Sequence, residues 1–212
     1  MKIGIDFGIT HTDVAISNDQ GTNFQTFKSL DINQDLKSVF DLLKDPHNIK
    51  KIFVTGGKSS DLPKTFNGLP VSHKNEIDSI ALGAKQLYDL KESALIVSTG
   101  TGTACVHFDG KNGNHLGGIA VGGGMLCGLG NLLFNNGDAL EIDEFAEKGD
   151  KSKIDFLIGD VVNKIGNLSP EITAANFGKA VNSEAATMEN VAASLCNMIG
   201  EVIGTIAYLN AF

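Results

Sequence analysis

The sequence predicts a mixed α/β protein of two lobes. A strand–glycine turn–strand unit opens each half of the chain, strand and helix spacings alternate between these units, and glycine is concentrated in short clusters. Lys2 to Gly8 is a short apolar, β-branched run with a glycine stop, the pattern of a buried strand. Thr12 to Ser17 is its return strand, and Asn23 to Leu30 a third strand of the meander. Leu36, Val39, Phe40, Leu42 and Leu43 recur at helical spacing, predicting a helix over 33–44. Lys51 to Thr55 is another buried strand, closed by Gly56 and Gly57. A second helix is expected from Ile77 to Leu87.

The second unit begins near Ala94. Ala94 to Ser98 and Ala104 to Phe108 read as strands around the loop Thr99 to Thr103, and 112–124 as loop. Helices are expected over 125–134, 143–148, 153–165 and 188–210. The lobes are therefore placed at 1–93 and 94–212, with no low-complexity linker between them.

The chain has 212 residues, 42% hydrophobic and 20% charged, enough to bury a real core. It holds 25 glycines, where average usage would give ~15. Its net charge of −8 repels nucleic acid and anionic lipid, so neither is an expected partner. All 17 basic residues are lysines. Without arginine, any phosphate must be held by backbone N–H groups, lysine or metal ions. Cys105, Cys127 and Cys196 are widely spaced and read as small buried residues in a reducing, cytoplasmic setting. No apolar run is expected to reach the ~20 residues of a membrane span.

Three glycine clusters carry the chemistry. In the first, Asp6 ends a strand and is followed by Gly8 and Thr10 in the turn. Gly8 allows backbone amides close to phosphate oxygens, Thr10 offers a hydroxyl, and Asp6 can hold Mg²⁺ through water. Alone, such a turn is equally an ordinary hairpin. The second, Thr99 to Thr103, alternates threonine and glycine, so Gly100, Thr101, Gly102 and Thr103 present amides and hydroxyls. The third, ending in Gly122, Gly123 and Gly124, opens a helix and is expected to offer unsatisfied amides to an anion. Two strand–turn–strand loops of this kind in one short chain point to a nucleotide.

Taken in order, GIDFGIT, VTGG at Val54 to Gly57, STGTGT at Ser98 to Thr103, GGIAVGGGMLCGLGNLL at Gly117 to Leu133 and TAANFG at Thr173 to Gly178 resemble the type II pantothenate kinase (fumble-like) family of the actin-like ATPase superfamily. The similarity runs from Met1 to the last helix. It implies a two-lobed, ribonuclease H-like fold with nucleotide in the cleft, ATP and Mg²⁺ as cofactors, a homodimer, and transfer of phosphate to a primary hydroxyl, best that of pantothenate. It implies Glu76 as the catalytic base at a helix start, where the helix dipole favours ionisation, with Asp78 the second candidate. It places His115, Thr101 and Asn176 on the acceptor side. Read without the family, Glu76 or Asp78 is as readily a helix cap.

The sequence also departs from the family. His115 stands where an arginine is usual, Asp13 where a lysine is usual, and Val121 where a threonine is usual. Lys58, Lys74 or His115 would then supply the missing charge. The family continues beyond the equivalent of Phe212 with a strand, a turn and a helix beside adenosine. Alternatives are a catalytically weak or regulatory nucleotide binder, a sugar kinase, or a superfamily ATPase driving a partner. The last is disfavoured by cysteines too scattered for an iron–sulfur cluster.

Overall fold

The computed structural model describes residues 1–43, 48–57, 59–163, 166–182 and 184–212. The chain forms two compact units, Met1–Ser98 with Cys105–Leu116, and Thr99–Ala104 with Gly117–Phe212.

The first unit is built on β1 (Lys2–Phe7), β2 (His11–Asn18), β3 (Gly21–Lys28), α1 (Leu36–Leu42), β4 (Lys51–Thr55), β5 (Thr65–Phe66), β6 (Leu69–His73) and α2 (Glu76–Tyr88). Its six-stranded sheet has the order β3-β2-β1-β4-β6-β5. The β1–β2–β3 meander is antiparallel, while β4 and β6 run parallel to β1. Strand periodicity explains the core: Ile3, Ile5 and Phe7 of β1 are buried with Val14, Ile52 and Val54, against Leu36 and Val39 of α1. The alternate residue Asp6 is thereby turned to the opposite face of the sheet.

Two local expectations change here. The first helix is shorter than 33–44, because Asn33 and Gln34 have φ of 48° and 52° and Asp35 caps the helix by accepting from the Ser38 amide; Lys44 lies outside the described residues. The hairpin of β5 and β6 was not anticipated. Its signal is Asn67-Gly68, both with positive φ, the two-residue turn favoured between antiparallel strands. Pro70 in β6 had hidden it.

A three-stranded sheet follows, order β7 (Ala94–Thr99), β8 (Thr103–Phe108) and β9 (Gly113–Ile119). Strand β9 replaces the loop expected over 112–124. A Cβ on its Gly113 would lie 2.7 Å from Ala81 Cβ and 2.8 Å from the Ile77 carbonyl, so glycine here allows close approach to α2 rather than a turn. Ala81, Val106 and Phe108 are fully buried at this second core, with Ile77, Ile80 and Ile96 around them.

The second unit carries α3 (Gly123–Phe134), α4 (Ala139–Lys148), β10 (Phe156–Leu157), α5 (Ile158–Val161), β11 (Thr173–Ala175) and α6 (Met188–Asn210). Helix α4 starts earlier than Asp143 because Asp138 accepts from the amides of Leu140 and Glu141. The helix expected over 153–165 is corrected to a 3-10 turn, β10 and the short α5; Lys164 and Ile165 lie outside the described residues. The β10–β11 pairing takes Phe156 and Leu157 out of any helix.

Helix α6 packs on α3 and α4. It corrects a second expectation: at 23 residues with few charges, it is long and apolar enough by composition to cross a membrane. Ala192, Leu195 and Ile199 are buried within the unit, and Ser194 and Asn197 are hydrogen-bonded there, while only 22% of its most apolar window is buried.

Candidate active site

In the first unit the candidate residues gather at the carboxyl ends of parallel strands β1 and β4, where open α/β sheets present ligand-binding groups. Asp6 is directly opposite Asp13 of β2 on one side and Thr55 of β4 on the other. Asp6 Oδ1 and Thr55 Oγ1 are buried atoms without a hydrogen-bond partner. Burial raises the Asp6 pKa above the ordinary carboxylate value, and the charges of Glu76 and Asp13 raise it further. Gly56 follows Thr55 with φ of +97°, and a Cβ there would meet the Phe7 carbonyl at 2.5 Å and Asp6 Oδ1 at 2.7 Å. The glycine of the VTGG stretch is thus required by its backbone conformation and by the close approach of Phe7 and Asp6.

The turn at Gly8 and Thr10 is braced from below by a residue that sequence reading missed. Ser29 Oγ donates to the Gly8 carbonyl at 2.7 Å, its amide donates to the Thr10 carbonyl at 2.9 Å, and its oxygen pairs with buried Thr12 Oγ1 at 3.1 Å. A cross-chain serine contact of this kind has no local sequence signature.

Glu76 is the first residue of α2 and is exposed; the cap is Asn75, whose side chain accepts from the amides of Ile77 and Asp78. The capping role that Glu76 or Asp78 would otherwise fill belongs to Asn75, so the Glu76 carboxylate is not spent on its own helix. Asp13 hydrogen-bonds to Thr26 Oγ1 at 2.5 Å. Lys74 lies with its ammonium 5.5 Å from the Phe53 ring centroid. His115 is exposed on β9, and Lys58 lies outside the described residues.

In the second unit the Gly-Thr loop and the glycine run are laced together. The Gly123 amide donates to the Gly100 carbonyl at 2.8 Å and the Gly124 amide to the Thr101 carbonyl at 3.0 Å. Thr103 Oγ1 donates to the Val121 carbonyl at 2.8 Å. The expectation of unsatisfied amides at Gly123 and Gly124 is therefore corrected: they fix the Gly-Thr loop. The packing admits nothing larger. A Cβ on Gly122 would lie 2.8 Å from the Gly100 carbonyl oxygen, and one on Gly124 2.6 Å from Thr101 Cγ2 and 2.9 Å from Thr101 O. With Val121 in the usual place of a threonine, it is the backbone carbonyl at that position that engages Thr103.

Asn176, just beyond β11, donates to Glu201 Oε2 at 3.0 Å and accepts from Asn197 at 3.3 Å. Both partners belong to α6, which periodicity alone marked as apolar.

Comparison with known proteins bears on these features. The family model described as Fumble matches residues 93–212, more than half of the chain. A type II pantothenate kinase of Staphylococcus epidermidis is 32% identical over 214 residues, covering 98% of this chain and 78% of the relative. One from Staphylococcus aureus is 32% identical over 215 residues with the same coverage. Among solved structures, the activator of the 2-hydroxyisocaproyl-CoA dehydratase from Clostridium difficile with bound ADPNP superimposes with a TM-score of 0.63, at 17% identity, over 98% of this chain and 75% of that one. That structural likeness carries the fold, the mixed α/β architecture of the actin-like ATPases. The shared sequence shows that the chain belongs to the type II pantothenate kinase, or Fumble, family.

Proposed function

We propose that this chain is an ATP-dependent kinase that phosphorylates the primary hydroxyl of pantothenate, with Glu76 as general base. The observation that carries the reading is the pairing of an uncommitted carboxylate, Glu76 at the start of α2, with a half-buried one, Asp6, whose Oδ1 has no partner. Glu76 accepts the hydroxyl proton as the oxygen attacks the terminal phosphoryl group. The Gly8–Thr10 turn is the phosphate-binding element of the first unit and the Gly100–Thr103 loop that of the second, and Gly122, Gly123 and Gly124 keep the latter in shape. His115, Thr101 and Asn176 orient the acceptor.

The residues fit a magnesium ion. Asp6 presents a desolvated, unpartnered oxygen, while no cluster of three or more His, Cys, Asp or Glu is found among the described residues. One protein carboxylate acting with water and phosphate oxygens is the usual magnesium arrangement. Held there, the ion would offset charge on the phosphates. The two functional lobes are proposed at 1–93 and 94–212, and the protein as a cytoplasmic homodimer; sedimentation would report the dimer.

Purified protein given ATP, Mg²⁺ and pantothenate should release ADP, and Glu76→Gln should abolish most of that release. A second reading, a nucleotide binder with little turnover, draws on Asp13, which adds negative charge beside Asp6. Saturable ATP binding without ADP release, across pantothenate, pantetheine and N-acetyl sugars, would establish it instead.

A further inference from the structure

We propose that Asn197 of α6 is a positioning residue that sets the shape of the segment from Thr173 to Phe177 and, through it, the orientation of Asn176; the consequence for acceptor binding rests on the role given to Asn176 above. Ser194, Asn197 and Glu201 are three and four residues apart and so share one face of the helix. Against that face lie the acidic side chain of Asp155 and the lysine Lys151 from elsewhere in the second unit.

Asn197 is the centre of this arrangement. Its carbonyl oxygen accepts from Lys151 Nζ at 2.8 Å. Its NH₂ group faces Thr173 Oγ1 at 3.0 Å, Asn176 Oδ1 at 3.3 Å and Asp155 Oδ2 at 3.5 Å. Lys151 also donates to Thr173 Oγ1 at 3.1 Å. The remaining atoms are equally specified. Asp155 is fully buried, and its Oδ1 accepts from the Phe177 amide at 2.8 Å and from the Ser194 hydroxyl. Phe177 has a φ of 59°, a left-handed conformation that a side chain of its size rarely adopts. The Asp155–Phe177 hydrogen bond holds the backbone there. Glu201 then takes the Asn176 NH₂ at 3.0 Å.

The result is an Asn176 amide with one assigned orientation, its nitrogen toward Glu201 and its oxygen toward Asn197. Only one further N–H and one further lone pair of that amide are left for a ligand. Such a donor–acceptor pair suits a substrate that itself carries a hydroxyl or amide. If the cluster only held the helix in place, well-packed apolar residues would do as well. Its fully specified hydrogen bonds instead define the direction of one half-buried amide.

The test compares wild type with Asn197→Leu, and with Thr173→Val as a second variant that removes the hydroxyl shared by Lys151 and Asn197 while keeping side-chain shape. Two readouts are taken: steady-state kinetics with pantothenate and ATP varied separately, and amide hydrogen exchange across 173–178. Loss of an outer hydrogen-bonded partner of a metal ligand typically costs about tenfold or more, and the same order is expected for a positioned amide. The expected result is a pantothenate KM raised about tenfold with the ATP KM within about twofold, and Phe177 amide exchange accelerated about tenfold. Equal changes in both KM values, or unchanged exchange, would overturn the proposal. If wild type releases no ADP with pantothenate, the acceptor reading fails. Exchange then decides the positioning role alone: acceleration in either variant supports it, and none refutes it.

Discussion

The turn of the first unit and the glycine loops of the second are built from similar residues but treat their polar groups in opposite ways. At the end of β1, Asp6 and Thr55 keep buried oxygens unpartnered, and burial, with the charges of Glu76 and Asp13, raises the Asp6 pKa. At the start of α3, Gly123 and Gly124 donate to the Gly-Thr loop, and Thr103 at the end of that loop donates back to the Val121 carbonyl. Unpartnered buried groups are costly and persist where a ligand completes them, whereas laced backbone is preorganised before a ligand arrives. The comparison teaches that the glycines of the two loops do different work. Gly56 makes room for the Phe7 carbonyl and for the unpartnered Asp6 oxygen, and Gly122 to Gly124 make room for the Gly-Thr loop they are bonded to.

The sharpest way to break this contrast is at Glu76. Glu76→Gln should lower kcat by about 10²–10⁴-fold, the usual contribution of a general base, with thermal stability unchanged because Asn75 still caps α2. A wild-type kcat would remove Glu76 from the chemistry. Next comes Gly124→Ala, whose methyl collides with Thr101. A displacement of about 1 Å in a loop that positions phosphate can cost about a hundredfold in kcat/KM for ATP; an unaffected enzyme would show that the lacing does not matter.

His115→Arg should act in the other direction. It restores a permanent cation and a planar fork, and a charged hydrogen bond is worth about 1.5–3 kcal/mol. An increase of about tenfold in kcat/KM for pantothenate is expected, read by initial rates. The smallest effect is on stability. Because the folded-state pKa of Asp6 is raised, the stability it contributes is present at low pH and is lost as pH rises through that pKa. The melting temperature of ligand-free protein should therefore show a downward component with pH that Mg²⁺-ATP opposes and Asp6→Asn removes. Identical pH profiles for wild type and Asp6→Asn would refute it.

Much of the architecture was legible. The alternation in KIGIDF and KIFVT is that of strands buried on one side, and the spacing of α6 gave its limits as Met188–Asn210. The family motifs led to Glu76 and to both glycine loops. The failures also have physical causes. Gly113, Gly117 and Gly118 made β9 look like a loop, although a glycine in a strand equally marks close packing. The β5–β6 hairpin was visible in Asn67-Gly68 and was obscured by Pro70. Ser29 and the Asp155–Asn197–Glu201 cluster join residues 21 to 46 positions apart with the groups they hold, beyond the reach of local patterns.

The sequence by itself determined strands β1 to β4, β7 and β8, the helices α1 to α4 and α6 in outline, the family, and which residue types stand at the motif positions, since these depend on local periodicity and on backbone freedom at glycine. Only the tertiary structure decided how each group is satisfied. It left the Asp6 oxygen unpartnered, gave the Gly123 and Gly124 amides to a neighbouring loop, and fixed the amide of Asn176 from α6. Hydrogen bonding and desolvation depend on distances between atoms far apart in the chain, and those distances exist only once the core has packed.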